Sequence, residues 1–252
     1  MTTEPSDSNP VTRSIALLWG VKDRPARGRK PSLTLDRIVD TAIAIADAEG
    51  TEALSMRRVA RELGAGAMSL YRYVPGKAEL LTLMLDRISN PAALREEANG
   101  QCWRGVLEAF ARTSWRRGLA HPWFIEVDWG RPVLGPNSVA ELEHLMAALD
   151  GLPLSDRERV MIVTTVENYV VGSARAQLLY ARAEADTGVS HDEFWTLHVP
   201  VLEQAMESGE YPTLASADED TFASSWEESF EFGLERILDG IERLVASRAA
   251  AG

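Results

Sequence analysis

Apolar residues between positions 34 and 90 recur at intervals of three and four, which predicts four consecutive helices. The first begins at Thr34, whose side chain can cap it, and ends at Gly50, a residue suited to the left-handed conformation. The second begins at Ser55 and stops after about two turns at Gly64.

The third helix is predicted from Gly66 to Tyr73, because the ring of Pro75 disfavours helical geometry in the residue before it. A fourth helix begins near Lys77 and carries an apolar face. Two short helices joined by a glycine-containing turn, between two longer helices, are typical of a helix-turn-helix. Neither short helix is stable alone, so the longer pair must hold both in place.

On a helical wheel, the third helix directs Leu70 and Val74 inward and Met68 and Arg72 directly outward. Hydroxyl-bearing side chains lie along its margins: Ser69, Tyr71 and Tyr73. A helix that reads a major groove needs small or adaptable side chains for base edges, and hydroxyl or cationic groups for phosphates. The pattern therefore predicts a DNA-contacting helix.

The second half of the chain contains two longer apolar stripes. In the last helix the spacing is four, three, four, three, over Phe230, Leu234, Ile237, Ile241 and Leu244. A helix predicted over residues 155–185 has a similar stripe of Val163, Val166 and Val170, continued by Ser173 and Gln177. Such seams are typical of helices packed at a shallow angle, either between subunits or in the core of one subunit.

Composition restricts the class of protein. The chain has 252 residues, 45% hydrophobic and 25% charged, which is typical of a folded soluble protein. No run of about eighteen apolar residues and no signal-peptide pattern occurs, so we predict a cytoplasmic protein without a membrane span. The single cysteine, Cys102, excludes an intramolecular disulfide and argues against a cysteine-based zinc site.

The charge is unevenly distributed. The net charge is -12, yet residues 11–77 contain 12 Lys and Arg against 7 Asp and Glu, a balance of +5. Beyond residue 95 there are 12 Lys and Arg against 27 Asp and Glu, a balance of -15. This asymmetry indicates two separate roles. Residues 1–32 are predicted to be a flexible, Arg-rich arm, either a solvated leader or a segment that reaches into a minor groove.

The segment LTLDRIVDTAIAIADAEGTEALSMRRVARELGAGAMSLYRYVPGKAELLTLMLDRI, residues 33–88, resembles the DNA-binding domain of the TetR (tetracycline repressor) family. The resemblance assigns DNA contacts to Arg57, Ala67, Met68, Ser69, Tyr71, Tyr73 and Lys77. The helical wheel alone adds Arg72.

Two later segments, WGRPVLGPNSVAELEHLMAAL and FEFGLERILDGIERL, are similar to the C-terminal class of the tetracycline repressor itself. The resemblance implies an all-α protein with a three-helix DNA-binding domain over residues 33–90 and a ligand-binding and dimerisation domain over residues 98–250. It also implies a homodimer on a palindromic operator in double-stranded DNA, released by a small-molecule inducer. It assigns both apolar stripes to the dimer interface, and ligand contacts to Phe110, Ser114, Trp129 and Asn168.

No metal or cofactor is predicted. The family's namesake holds its drug as a magnesium chelate through a histidine and a glutamate, and the corresponding positions here are Val127 and Ala176. The four histidines also lack metal-site spacing.

Other functions stay open at this level. An activator, or a helical scaffold protein that retains the helix-turn-helix, would share these patterns. An enzyme is disfavoured because no nucleophile elbow, HExxH, CxxC, phosphate-loop or dinucleotide motif occurs in the chain.

Overall fold

The computed structural model describes residues 10–20, 33–125, 127, 132–218 and 221–251, and within these ranges the chain forms helices, turns and loops without a strand. The helices are α1 (Pro10–Leu18), α2 (Leu35–Ala53), α3 (Met56–Glu62), α4 (Ala67–Tyr71), α5 (Lys77–Ile88), α6 (Pro91–Glu97), α7 (Trp103–Ala120), α8 (Pro136–Ala148), α9 (Asp156–Thr187), α10 (His191–Glu207), α11 (Pro212–Ala215) and α12 (Trp226–Ala251). A 3-10 turn, Pro122–Ile125, follows α7. The predicted all-α class is confirmed.

The predicted starts of the first helices are confirmed by their caps. The hydroxyl of Thr34 accepts a hydrogen bond from the N–H of Arg37 at 3.2 Å, and the hydroxyl of Ser55 accepts one from the N–H of Arg58 at 3.2 Å. Gly50 breaks the geometry of α2 with φ of 78°, but helical residues continue to Ala53 beyond the break. Between α3 and α4, Gly64 adopts φ of 64°, a conformation that favours glycine and allows the tight turn.

The N-terminal arm contains a helix that the sequence did not predict. The apolar side chains Leu17 and Leu18 of α1 pack against the core formed by α2 to α5. Arg13 donates to the buried carboxylate of Glu79 on α5 at 3.1 Å, and the indole N–H of Trp19 donates to the carbonyl of Leu134 at 2.9 Å. For residues 10–18 the prediction of a flexible arm is therefore wrong. The rest of that predicted arm, 1–9 and 21–32, lies outside the described residues.

Replacing Arg13 with alanine is expected to lower the free energy of unfolding by about 1–2 kcal/mol, because it leaves the Glu79 carboxylate in the core without its ion-pair partner. Urea unfolding at fixed protein concentration measures this change. Arg95→Ala, which removes an exposed arginine from α6, is the matched control with an expected change below about 0.5 kcal/mol. Equal stability of the two variants would contradict the packing of α1.

Helix α5 connects the two halves of the chain through a second buried carboxylate, Asp86. Its oxygens accept hydrogen bonds from the backbone N–H of Ser138 at 2.9 Å, the hydroxyl of Ser138 at 2.9 Å and the N–H of Asn137 at 3.4 Å. These groups belong to the first turn of α8, where unpaired N–H groups favour an anion. A side chain at Gly135 would overlap the Asp86 carboxyl at 2.3 Å, so this contact also requires a glycine.

Helices α7, α8, α9 and α12 form the second core, with α6 packed on α7 and α8. Ser155 and Glu158 form a reciprocal capping box at the start of α9, and Gly188 ends that helix in the left-handed conformation. The 3-10 turn carries Trp123 and Phe124 back into the core formed by α2 to α5, which is the first core.

The two apolar stripes assigned to the dimer interface lie inside one protomer. Six of their members are buried in the second core: Val163, Val166, Val170, Phe230, Leu234 and Ile241. Ile237 and Leu244 are half-buried against the same core. For these six residues the core alternative therefore describes the contacts, whereas the assignment of Ile237 and Leu244 to the interface stays a prediction.

Candidate functional site

The outer face of α3 and α4 presents the side chains that the sequence predicts to contact DNA. Leu70 and Val74 are 0% exposed and anchor α4, whereas Met68 is 78% exposed at the opposite side. Tyr71 and Arg72 are also exposed, and Ala67 and Ser69 are half-buried beside Met68. The predicted inward and outward directions of this helix are confirmed.

Neighbouring cations on α3 differ in what they can bind. Arg58 donates to the carboxylates of Glu49 and Glu62, both at 2.6 Å, and the hydrogen bond with Glu49 raises the pKa of Arg58 further above its usual range. Arg57 is exposed and makes no ion pair or hydrogen bond with any residue that the structure describes. Its guanidinium is therefore available for a phosphate, while that of Arg58 is occupied in bracing α3.

Two other predicted contacts also position the helix-turn-helix. The hydroxyl of Tyr73 donates to the carbonyl of Leu33 at 3.0 Å, which ties the end of α4 to the start of α2. The ammonium of Lys77 donates to the carbonyl of Thr51 at 2.6 Å. An ammonium has three donors, so Lys77 retains two for an external phosphate.

A cavity of about 450 Å³ lies between α5 and the second core. Its volume is in the range of small-molecule sites. Apolar side chains make up most of the described wall: Leu85, Phe110, Phe124, Val133, Leu142 and Leu145. Helices α5, α7, α8 and α9 each contribute residues, so an occupant would touch both halves of the chain.

The wall also contains a fixed ion pair. Arg117 on α7 donates to the Glu141 carboxylate on α8 at 2.8 Å and to the hydroxyl of Ser114 at 2.9 Å. The same oxygen of Glu141 accepts the N–H of Asn90 at 2.9 Å. Both side chains of the pair are largely buried, so this carboxylate is already neutralised.

Glu167 on α9 is the other carboxylate among the described residues of the cavity wall. The residue is exposed overall, but the cavity wall shields its carboxyl from water, and this shielding raises the pKa of Glu167. The positive charge of Arg117 lowers this pKa, and the negative charge of Glu141 raises it. Among the described residues it makes no hydrogen bond or ion pair.

Two of the four residues predicted to bind a ligand line this cavity: Phe110, which is 4% exposed, and Asn168. Ser114 does not line it and instead holds Arg117. Trp129 lies outside the described residues. The sequence analysis missed Arg117, Glu141 and Glu167. A signal existed for Glu141, because it stands four and eight residues before the buried Leu145 and Leu149 on one face of α8.

Family models match both halves of the chain. Residues 38–84 match the model of bacterial regulatory proteins of the tetR family, and residues 96–245 match the tetracyclin repressor-like C-terminal domain. The chain belongs to the TetR family. It is a helix-turn-helix DNA-binding transcriptional regulator of that family, so the recognition made from residues 33–88 and from the later segments is confirmed.

Individual relatives of this TetR-family regulator are repressors and regulators of transcription. The chain is 50% identical to the HTH-type transcriptional repressor DrrR1 of Streptomyces coeruleorubidus, over 98% of this chain and 91% of the relative. Apo ActR from Streptomyces coelicolor is 31% identical and superposes with a TM-score of 0.69, covering 89% of this chain and 100% of ActR. ActR has also been solved with (S)-DNPA, at 30% identity and a TM-score of 0.66 over 84% of this chain and 98% of that one.

The described part of the chain holds no group of three or more His, Cys, Asp and Glu side chains arranged to bind a metal ion. Val127 is half-buried against the first core and Ala176 is exposed on α9, and neither side chain can ligate a metal. No helix in the described ranges is long and apolar enough to cross a membrane.

Proposed function

We propose that this TetR-family regulator is a homodimeric repressor that binds a palindromic operator and is released from it by a small molecule bound in the 450 Å³ cavity. The observation that carries the proposal is that α8 forms a wall of the cavity while its first turn is held by Asp86 of α5. Since α5 closes the DNA-binding core, a ligand that moves α8 also moves the helix-turn-helix. The similarity to the repressor DrrR1 and to ActR supports regulation rather than catalysis.

Release requires a difference in ligand affinity between two states. The inducer must bind more tightly to a state in which the two α4 helices are wrongly spaced for DNA than to the DNA-competent state, because only that difference in affinity shifts the equilibrium. Complexes of ActR with (S)-DNPA and with actinorhodin support a ligand-responsive mechanism in a relative 28–30% identical to this chain.

A second stripe on α9 supports the dimer. The face of α9 opposite the second core carries exposed residues at intervals of three and four. Most of them are apolar or small, and two are polar: Met161, Thr165, Asn168, Gly172, Ala176, Leu179 and Ala183. Met161 is 52% exposed and Leu179 is 47% exposed, an unusual surface for a solvated helix. A second copy would cover this stripe and set two α4 helices about 34 Å apart, the spacing of successive major-groove turns.

Replacing Gly172 with arginine is expected to dissociate this dimer. A Cβ added at Gly172 meets no atom within 4 Å in the protomer and the position is exposed, so the substitution is expected to leave the protomer fold intact. In a dimer interface the substitution would place two symmetry-related guanidinium groups against an apolar surface. We expect this to weaken the free energy of association by about 2 kcal/mol or more. Sedimentation at a series of protein concentrations should show at least a tenfold weaker dimer.

Ala92→Arg is the matched control, because it adds the same side chain at an exposed position of α6. It should leave the dissociation constant unchanged. A dimer that tolerates arginine at Gly172 as well as at Ala92 would remove α9 from the interface.

Selection of bound duplexes from a random DNA pool tests the whole proposal. We expect a palindromic motif whose two halves are one helical turn apart, and loss of binding when an inducer is added. An asymmetric motif would overturn the homodimeric repressor reading. Activation of a reporter by the bound protein would favour the activator alternative, and absence of any selected sequence would favour a scaffold role.

A further inference from the structure

The charges of the cavity wall identify a class of ligand, an inference that rests on the proposed function because it concerns the same cavity. Arg117 and Glu141 neutralise one another, and Glu141 accepts a further N–H from Asn90. Glu167 faces the same cavity without such a partner among the described residues. The described wall therefore has one carboxylate in excess over its cations.

A carboxylate held partly out of water is stabilised by a cation that enters the cavity with an apolar body. Phe110 and Phe124, the two aromatic side chains of the described wall, suit flat or apolar surfaces rather than further charge. From this arrangement we infer that the inducer is an apolar molecule bearing a protonated amine that pairs with Glu167. An anionic ligand would instead meet an uncompensated negative charge.

The acid-base behaviour of Glu167 supports the inference. Burial of the carboxyl raises its pKa, and Glu141 on α8 acts in the same direction while Arg117 on α7 opposes it. An ammonium group would favour the ionised form and lower this pKa on binding. The affinity for an amine is therefore expected to fall as the pH is lowered through the raised pKa of Glu167, because the carboxyl must then be deprotonated for the pair to form.

Three probes of equal size test the inference: anthracene carrying an aminomethyl, a hydroxymethyl or a carboxylate group at the same ring position. Fluorescence titration of the full-length protein at neutral pH should give a dissociation constant about tenfold lower for the amine than for the alcohol, the magnitude of one charge-assisted hydrogen bond. The carboxylate should bind more weakly than the alcohol.

Glu167→Gln should remove the preference for the amine, so that the amine and the alcohol bind with similar dissociation constants. Glu143→Gln is the matched control, because Glu143 is exposed on α8 and does not line the cavity, so the preference should survive. The alcohol also reports whether the cavity of each variant remains intact.

Two negative results have different meanings. Equal binding of all three probes, tighter binding of the carboxylate, or an amine preference that persists in Glu167→Gln overturns the amine inference and leaves the cavity as the ligand site. Failure of all three probes to bind overturns the inference together with the proposed role of the cavity.

Discussion

Replacing Arg57 with alanine is expected to weaken binding to every duplex by about thirtyfold, because the proposed dimer would lose the exposed guanidinium twice, and each copy is predicted to make a charge-assisted phosphate contact. The slope of log affinity against log salt should become shallower by about two, since each neutralised phosphate contributes about 0.9. Titration of labelled operator and of an unrelated duplex over a series of salt concentrations measures both effects.

Arg95→Ala is the control for this experiment, since it changes the net charge equally on α6, away from α3 and α4. It should leave the slope unchanged. Met68→Ala provides a contrast: Met68 is 78% exposed on the outward side of α4, so its loss should change which bases are preferred while retaining the salt slope. A slope unchanged in Arg57→Ala would show that this face does not meet the phosphates.

Replacing Trp123 with alanine is expected to lower the free energy of unfolding by about 4 kcal/mol, the range for a fully buried tryptophan. Trp123 is 1% exposed, and its indole N–H donates to the Asp47 carboxylate at 2.6 Å. The ring fills the first core from the 3-10 turn after α7, so the substitution leaves a cavity and removes one hydrogen bond to Asp47, whose exposed carboxylate keeps its contact with His121 at 2.8 Å. Urea unfolding followed by circular dichroism gives the value.

Two further tryptophan variants separate the causes. Trp123→Phe keeps most of the buried area and loses the hydrogen bond, so a smaller loss of about 1–2 kcal/mol is expected. Trp226→Ala removes a tryptophan that is 40% exposed at the start of α12, and should cost less than Trp123→Ala. Similar losses at positions 123 and 226 would contradict the packing of the turn into the first core.

The helix-turn-helix could be predicted from the sequence because its determinants are local. The caps Thr34 and Ser55, the turn glycine Gly64 and the inward pair Leu70 and Val74 each act within a few residues of the helix they define. The exposed face then followed from the helical period alone.

Helix α1 could not be predicted in this way. A helix of nine residues is unstable by itself, and it forms here through contacts with residues far along the chain, such as Glu79 and Leu134. The composition of residues 1–32 as a whole is rich in Ser, Pro and Arg and predicts an unordered arm, and no local pattern identifies the distant partners that stabilise α1.

Six residues assigned to the interface are buried in the protomer core, and the sequence could not show this for a different reason. Helix α9 carries two stripes with similar spacing, one through Val163, Val166 and Val170 and one through Met161, Gly172 and Leu179. Periodicity predicts that each stripe lies on one face, but it cannot tell which face meets the protomer's own core. The charged residues of the cavity could not be predicted from the sequence either. Arg117, Glu141 and Glu167 lie on three different helices and come together only in the folded chain.

The two buried acids of α5 bear on the engineering of chimeric regulators. A DNA-binding domain excised as residues 33–90 and fused to another ligand-binding domain would contain Glu79 and Asp86 without Arg13 and without the first turn of α8. Both carboxylates would then lie in apolar surroundings without these ion-pair and hydrogen-bond partners. A stable chimera must therefore include residues 10–20, and its ligand-binding domain must supply residues equivalent to Gly135, Asn137 and Ser138. Alternatively, both acids can be replaced with neutral side chains of similar size.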